Sequence, residues 1–123
     1  MEIVKSKQTD FGEFIFLDEH VVVAEAKSKV NIDASKVKEA IELIENEFND
    51  SYAIILSRKR EYSVQPVEVY KYFASLPRLK ALAIVLFRQL DILPDNMEQR
   101  LYNGPVQKFE SIESAHAWLK TFF

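Results

Sequence analysis

Two stretches decide the fold: Tyr52-Ala53-Ile54-Ile55-Leu56, and Leu79-Lys80-Ala81-Leu82-Ala83-Ile84-Val85-Leu86-Phe87. Both are almost unbroken apolar runs. A strand with one solvated face alternates apolar and polar side chains, whereas a strand covered on both faces has no polar side to show. The lengths are those of strands, and Ile and Val favour extended backbone. The two runs therefore predict strands inside a parallel sheet whose faces are covered by helices.

The reading extends in both directions. Between the runs, Pro66 to Leu76 reads as a helix: Pro66 suits the first turn, Val69, Phe73 and Leu76 repeat at spacings of 4 and 3, and Pro77 stops it. Upstream, Val37, Ile41, Ile44 and Phe48 repeat at 4, 3 and 4, an apolar stripe on a helix over Ala34 to Phe48. Asp33 stands as its N-cap and Asn49-Asp50-Ser51 ends it. Further upstream, Phe11 to Leu17 and Val21 to Ala26 read as strands joined by the short polar Asp18-Glu19-His20, an antiparallel hairpin. Strict alternation fails in both, which points either to partial cover on their second face or to a register other than the one read.

Downstream, Leu93, Met97 and Leu101 align on a helix over Pro94 to Asn103, and Asn103-Gly104-Pro105 is a strong stop. Val106 to Phe109 reads as a short strand. Ser111 then caps a last helix, with Ile112, Ala115, Leu119 and Phe122 at 3, 4 and 3. The expected architecture is one α/β domain over residues 1–123. It has an N-terminal β-hairpin followed by βα units, in a mixed sheet of about five strands with a parallel core flanked by four helices. The hairpin can join either edge of the parallel core.

Composition excludes several functions. The chain has 123 residues, 48% hydrophobic and 28% charged, the balance of a folded domain. A net charge of −3 argues against a general nucleic-acid or anionic-membrane binder. With no cysteine, thiolate zinc sites, disulfides and cysteine nucleophiles are excluded. Two glycines, Gly12 and Gly104, cannot build a glycine-rich phosphate loop. The longest continuous apolar stretch, Ala81 to Phe87, is seven residues, far short of a membrane span. The start lacks a signal-peptide apolar segment, so a cytoplasmic location without membrane insertion is expected.

The polar loop Ser57-Arg58-Lys59-Arg60-Glu61-Tyr62-Ser63 is the first place to look for a site. It follows a buried strand and leads into a helix, and open α/β sheets bind ligands beyond the carboxyl ends of their strands. Arg58, Lys59 and Arg60 beside the hydroxyls of Ser63 and Tyr62 suit a phosphate, a carboxylate or an acidic partner. Arg88 follows the second apolar run and would share that sheet edge if the two strands are parallel neighbours. The plainer alternative is a solvated loop, with Ser63 capping the next helix and Arg88 paired to Asp91 or Glu61.

Other constellations are weaker. His20 and His116, the two histidines, are far apart in sequence and show no metal-ligand spacing, so no metal is expected. Ser57, His20 and Asp91 compose a Ser-His-Asp set on paper, but Ser57 lacks a nucleophile-elbow context. Tyr70, Tyr72 and Phe73 share one short helix that Tyr62 precedes, and they read as packing or as the wall of an apolar cleft. Trp118, Leu119, Phe122 and Phe123 cannot all face one core, which leaves a covered sheet edge or a homodimer contact.

In this order of elements, and in its ending VQKFESIESAHAWLK (Val106 to Lys120), the chain resembles the SpoIIAA-like branch of the STAS/SEC14-like domains. Small members of that branch end in a short strand, an acidic turn and a helix carrying Ala and Trp-Leu, here Val106–Phe109, Glu110–Glu113, Ala115 and Trp118-Leu119. The segment SRKREYSVQP (Ser57 to Pro66), with Arg60-Glu61-Tyr62-Ser63, is similar to the loop those members carry after the third strand. The resemblance implies a non-enzymatic regulatory or protein-interaction module with a protein partner and no cofactor. The alternative it implies is a small-molecule or lipid carrier of SEC14-like type. The Asp-Ser-Ser-Gly motif phosphorylated in anti-sigma-factor antagonists is absent, so neither Ser57 nor Ser63 takes that role.

Overall fold

The two apolar runs are adjacent parallel strands in the interior of a sheet, as their composition requires. The computed structural model describes residues 5–58, 63–64, 66–86, 101–102 and 104–123, with only the backbone of 63, 64 and 66. Its elements are β1 (Lys5–Gln8), β2 (Gly12–Phe16), β3 (Val21–Ala26), β4 (Asn31–Ile32), α1 (Ala34–Glu47), β5 (Tyr52–Arg58), β6 (Ser63–Val64), α2 (Pro66–Ala74), β7 (Leu79–Leu86), β8 (Val106–Phe109) and α3 (Ile112–Leu119). A 3-10 turn, Lys120–Phe122, follows.

Among the described residues the main sheet has six strands in the order β1-β2-β3-β5-β7-β8. The first two pairings are antiparallel and the next three parallel. The hairpin thus joins the parallel core through β3, which settles the edge that the sequence leaves open. A second, two-stranded parallel sheet pairs β4 with β6 and ties the β3–α1 connection to the β5–α2 connection.

Side-chain alternation divides the core in two. On one face, Phe14, Phe16, Val22, Ile54 and Leu82 pack with Val37, Ile41 and Ile44 of α1 and Val69, Tyr70 and Phe73 of α2. On the other, Val21, Val23, Ala53, Ile55, Ala81, Ala83 and Val85 pack with Ala115 and Leu119 of α3. Crossovers of one hand that step the same way along a sheet put their helices on one face. That accounts for α1 and α2 lying together. The alanines opposite Ala115 let α3 sit close to the strands.

The helix ends follow the sequence signals. Asp33 accepts a hydrogen bond from Lys36 N at 3.0 Å and caps α1. Ser111 accepts from Ser114 N at 3.1 Å and caps α3. The last turn of α1 carries no basic residue, and Arg78 supplies the cation from outside. Its guanidinium donates to the carbonyls of Phe48 at 2.6 Å, Asp50 at 2.9 Å and Glu45 at 3.4 Å. Carbonyls at a helix end lack intrahelical partners and carry the negative end of its dipole.

Several expectations need correction. Three α-helices are present among the described residues rather than four. The helix expected over Pro94 to Asn103 lies outside them except for Leu101 and Tyr102, which are helical. The sheet has six strands because Lys5–Gln8, a polar segment with no apolar signal, forms an exposed edge strand. There Lys5 (at 2.8 Å) and Lys7 pair with Glu47 and hold its carboxyl below the usual range. β2 does alternate between buried and half-buried residues, so the failed alternation reflected strand ends set one residue too wide. In β3, Val21, Val22 and Val23 are all buried, covered on both faces.

Candidate functional site

The carboxyl ends of β3, β5 and β7 meet at one edge of the sheet. β3 and β5 are in register there, Glu25 against Ser57, and β5 and β7 likewise, Arg58 against Leu86. Ser57 and Arg58 belong to β5 and not to the loop expected over Ser57 to Ser63. As successive strand residues they point to opposite faces. The Ser57 side chain is fully buried on the α3 face and donates from Oγ to Oε1 of Glu25 at 3.1 Å. Its hydroxyl is therefore spent within the sheet. Arg58 lies on the other face, where its Nη2 donates to the hydroxyl of Tyr70 on α2 at 3.4 Å.

Of the other expected site residues, Lys59, Arg60, Tyr62 and Arg88 lie outside the described residues. Ser63 is placed by its backbone in β6, paired with Asn31. The condition set for Arg88 is met as far as its strand is concerned: β5 and β7 are parallel neighbours.

A cavity of about 80 Å³ opens beside Arg58, between the sheet, α1 and α2. Its deep wall is apolar, with Phe14, Ile41, Ile44, Ile54, Val69 and Phe73 all buried. The lining residues that keep contact with solvent include Ala26, Ile32 and Arg58, at the ends of β3 and β5 and in β4, so the mouth is at that end. Gly12 belongs to the wall, and a Cβ there would stand 2.9 Å from the Glu25 carbonyl oxygen. Glu25 lines the cavity at its backbone, since its carboxylate is bonded to Ser57 on the opposite face. Among the described lining residues, the charged side chain on the cavity face is Arg58. Sequence reasoning named Arg58 but missed the cavity, whose signal is shape and not composition.

The opposite end of the sheet holds a second polar cluster. The Asp18 carboxylate closes the β2–β3 turn by accepting from the backbone N–H groups of His20 at 2.7 Å and Val21 at 2.9 Å. Its other oxygen accepts from Nε2 of His116 on α3 at 2.6 Å. Partial burial works to raise this carboxyl. The hydrogen bonds from His116, His20 and Val21 and the His116 charge outweigh it and hold the group below the ordinary carboxylate range. His20 donates from Nδ1 to the Ser51 carbonyl at 3.0 Å and stacks on Phe123, ring centroids 4.4 Å apart. Reading the histidines as separate in sequence missed this meeting. Residues 98 apart leave no local pattern.

A third group is structural. Tyr52 donates to Glu45 at 2.7 Å, and burial together with that carboxylate pushes its hydroxyl well up. Among the described residues no group of three or more His, Asp and Glu is placed to hold a metal ion, and no helix is long and apolar enough to cross a membrane.

Comparison with known proteins fits this architecture. No family model matches the chain, and no curated protein matches its sequence. Among solved structures, it is similar to an uncharacterised protein of the DUF3478 family with a SpoIIAA-like fold, from Shewanella loihica PV-4. The two share 11% identity with a TM-score of 0.55, over 94% of this chain and 90% of the other. The fold of this chain is SpoIIAA-like.

Proposed function

We propose that the chain is a non-enzymatic STAS-like binding module. Its recognition surface is the rim where β5 and β7 end, and it takes an anionic ligand or an acidic protein partner. The observation that supports this reading is the register of Arg58 against Leu86 in neighbouring parallel strands. The segment Lys59, Arg60, Tyr62, Ser63 and the segment carrying Arg88 both continue from that edge. Arg58 stands at a strand carboxyl end, where open α/β sheets place ligands, and Lys59, Arg60 and Arg88 follow those strands in sequence. The Asp18–His116 pair does not favour hydrolysis: it is remote from the cavity wall, and among the described residues no hydroxyl is bonded to His116.

The test is a Lys59→Ala, Arg60→Ala double variant, which leaves Arg58 and its Tyr70 contact in place. Binding of inorganic phosphate and of a hexaglutamate peptide is measured by calorimetry. Affinity at least fivefold lower for one of the probes, with an unchanged melting temperature, is expected. Binding of both probes that the variant leaves intact sinks the assignment of this rim.

The apolar cavity favours a second reading, a small-molecule carrier. Pockets are concave and mostly apolar, with a few placed polar groups, and this one has Arg58 and the Tyr70 hydroxyl at its mouth. Native mass spectrometry of gently purified protein tests it: a retained small molecule supports the carrier, and a bare chain supports the rim.

A further inference from the structure

We infer that the outer edge of β1 takes an extended protein segment with acidic residues at alternate positions, which joins the main sheet as a further strand. This edge is independent of the rim: β1 stands three positions from β5 in the sheet.

The backbone comes first. β1 is registered on β2 as Lys5 with Phe16, Ser6 with Ile15, Lys7 with Phe14 and Gln8 with Glu13. Thr9 N donates to the Gly12 carbonyl at 2.8 Å, the next pair of the same register. Antiparallel ladders alternate between pairs that exchange hydrogen bonds and pairs that do not. Lys7 and Lys5 therefore turn their N–H and C=O groups to β2, and Ser6 and Gln8 turn theirs outward. Among the described residues β1 has no second strand neighbour. Alternating donors and acceptors at strand spacing are a template for another chain.

The side chains select which chain. Lys5 and Lys7 oppose Phe16 and Phe14, so both stand on the α1 face of the sheet. Both reach Glu47 at the end of α1, so two ammoniums share one carboxylate. The lysine side chains are 53% and 38% exposed and that of Glu47 is 17%, so the cations face solvent more than the anion does. A second copy laid on this edge would set lysine against lysine, the arrangement by which edge strands repel one another. An acid opposite each lysine gains a cross-strand partner instead. On the other face Gln8 donates to Glu13 at 3.0 Å, so an acid there would meet a carboxylate. The incoming strand thus carries acids toward α1 and uncharged residues away from it. Those uncharged residues stand opposite Ser6 and Gln8, and their main-chain groups make the new hydrogen bonds.

The experiment is amide-resolved NMR on the whole chain, by titration and hydrogen exchange. The probe is the capped peptide Thr-Glu-Val-Glu-Val-Glu-Thr. Its controls are the same peptide with lysine for glutamate, and one with proline for valine, which keeps the charge but lacks the N–H groups that would pair. Saturable shifts and slowed exchange at Ser6 and Gln8 are expected with the probe, at least fivefold tighter than with either control. Lys5→Gln with Lys7→Gln should weaken the probe at least fivefold. Ser6→Pro removes one outward N–H without touching the β1–β2 ladder and should do the same. The Lys59→Ala, Arg60→Ala variant should bind as wild type does, which separates this edge from the rim. If the proline or the lysine control binds as tightly as the probe, or if no peptide moves these amides, the inference falls. Slow exchange at Ser6 and Gln8 in the free chain, monomeric or dimeric, shows the edge already occupied and also overturns it. Should Ser6→Pro fail to fold, the proline control still tests main-chain pairing.

Discussion

Replacing Asp18 by alanine should strand a buried backbone donor at the start of β3. The carboxylate serves three donors: His20 N, Val21 N and His116 Nε2. Val21 is fully buried, so its N–H is stranded when the acceptor goes. A stranded buried donor costs about 1–3 kcal/mol, and the lost His116 and His20 bonds add about 1 kcal/mol. The sum is about 2–4 kcal/mol. Unfolding entropy near 2.1 cal/mol/K per residue makes about 0.26 kcal/mol/K for a chain of 123 residues. The melting temperature should therefore fall by about 8–15 °C at pH 7.

Asp18→Asn separates the parts. It keeps an acceptor for the two backbone groups and loses the charged acceptor of the His116 hydrogen bond, so a drop of about 4 °C is expected. The pH dependence has a fixed sign. The folded carboxyl lies below its ordinary value of 3.8, so its contribution is complete above that value and lost as pH falls through the lower folded value. The gap between wild type and Asp18→Asn should narrow on acidification below about pH 4. Differential scanning calorimetry with near-ultraviolet circular dichroism reads all of this. An Asp18→Ala chain that melts within about 3 °C of wild type would refute the reasoning.

Three further outcomes are expected. Gly12→Ala should destabilise by about 1–3 kcal/mol in urea unfolding, because its Cβ would press on the Glu25 carbonyl at 2.9 Å. Arg78→Ala should lower the chemical-denaturation midpoint by an amount worth about 2–3 kcal/mol, whereas Arg78→Lys should recover less than half, since one ammonium cannot span the Glu45, Phe48 and Asp50 carbonyls. Burial pushes the Tyr102 hydroxyl up to about 12, so its stabilisation is complete below the ordinary value of 10.0 and is lost as pH rises through the folded value. The melting temperature should accordingly fall above about pH 10, less steeply in Tyr102→Phe, and tyrosinate absorbance should show one fewer late-ionising group in that variant.

The parts of the fold legible in the sequence are those where burial dictates composition. Tyr52–Leu56 and Leu79–Leu86 are apolar because both faces are covered, and α1 announces itself by its stripe and by Asp33. Three elements escaped because nothing buries them enough to leave a pattern. β1 is an exposed edge held by Lys5 and Lys7 on Glu47, and β4 and β6 are two residues each. Arg58 was legible as the residue after a buried strand, but its separation from Ser57 was not, since that depends on how far β5 extends. The cavity arises where Gly12, Ala24, Ala26 and Ala40 face one another from three elements, and the Asp18–His116 pair joins opposite ends of the chain. Only tertiary structure brings such residues together.

The unequal dressing of the two sheet faces bears on how the chain is made. Because the parallel strands stand in sequence order, the sheet can grow one strand at a time as the polypeptide leaves the ribosome. The α1 and α2 side is clothed as it grows, since each of those helices precedes the strand it leads into. Among the described residues the other side, Val21, Val23, Ala53, Ile55, Ala81, Ala83 and Val85, takes its helical cover from Ala115 and Leu119, which emerge last. A chain halted before Ile112 would thus lack the α3 packing of that face, and holdase chaperones recognise such aliphatic surface.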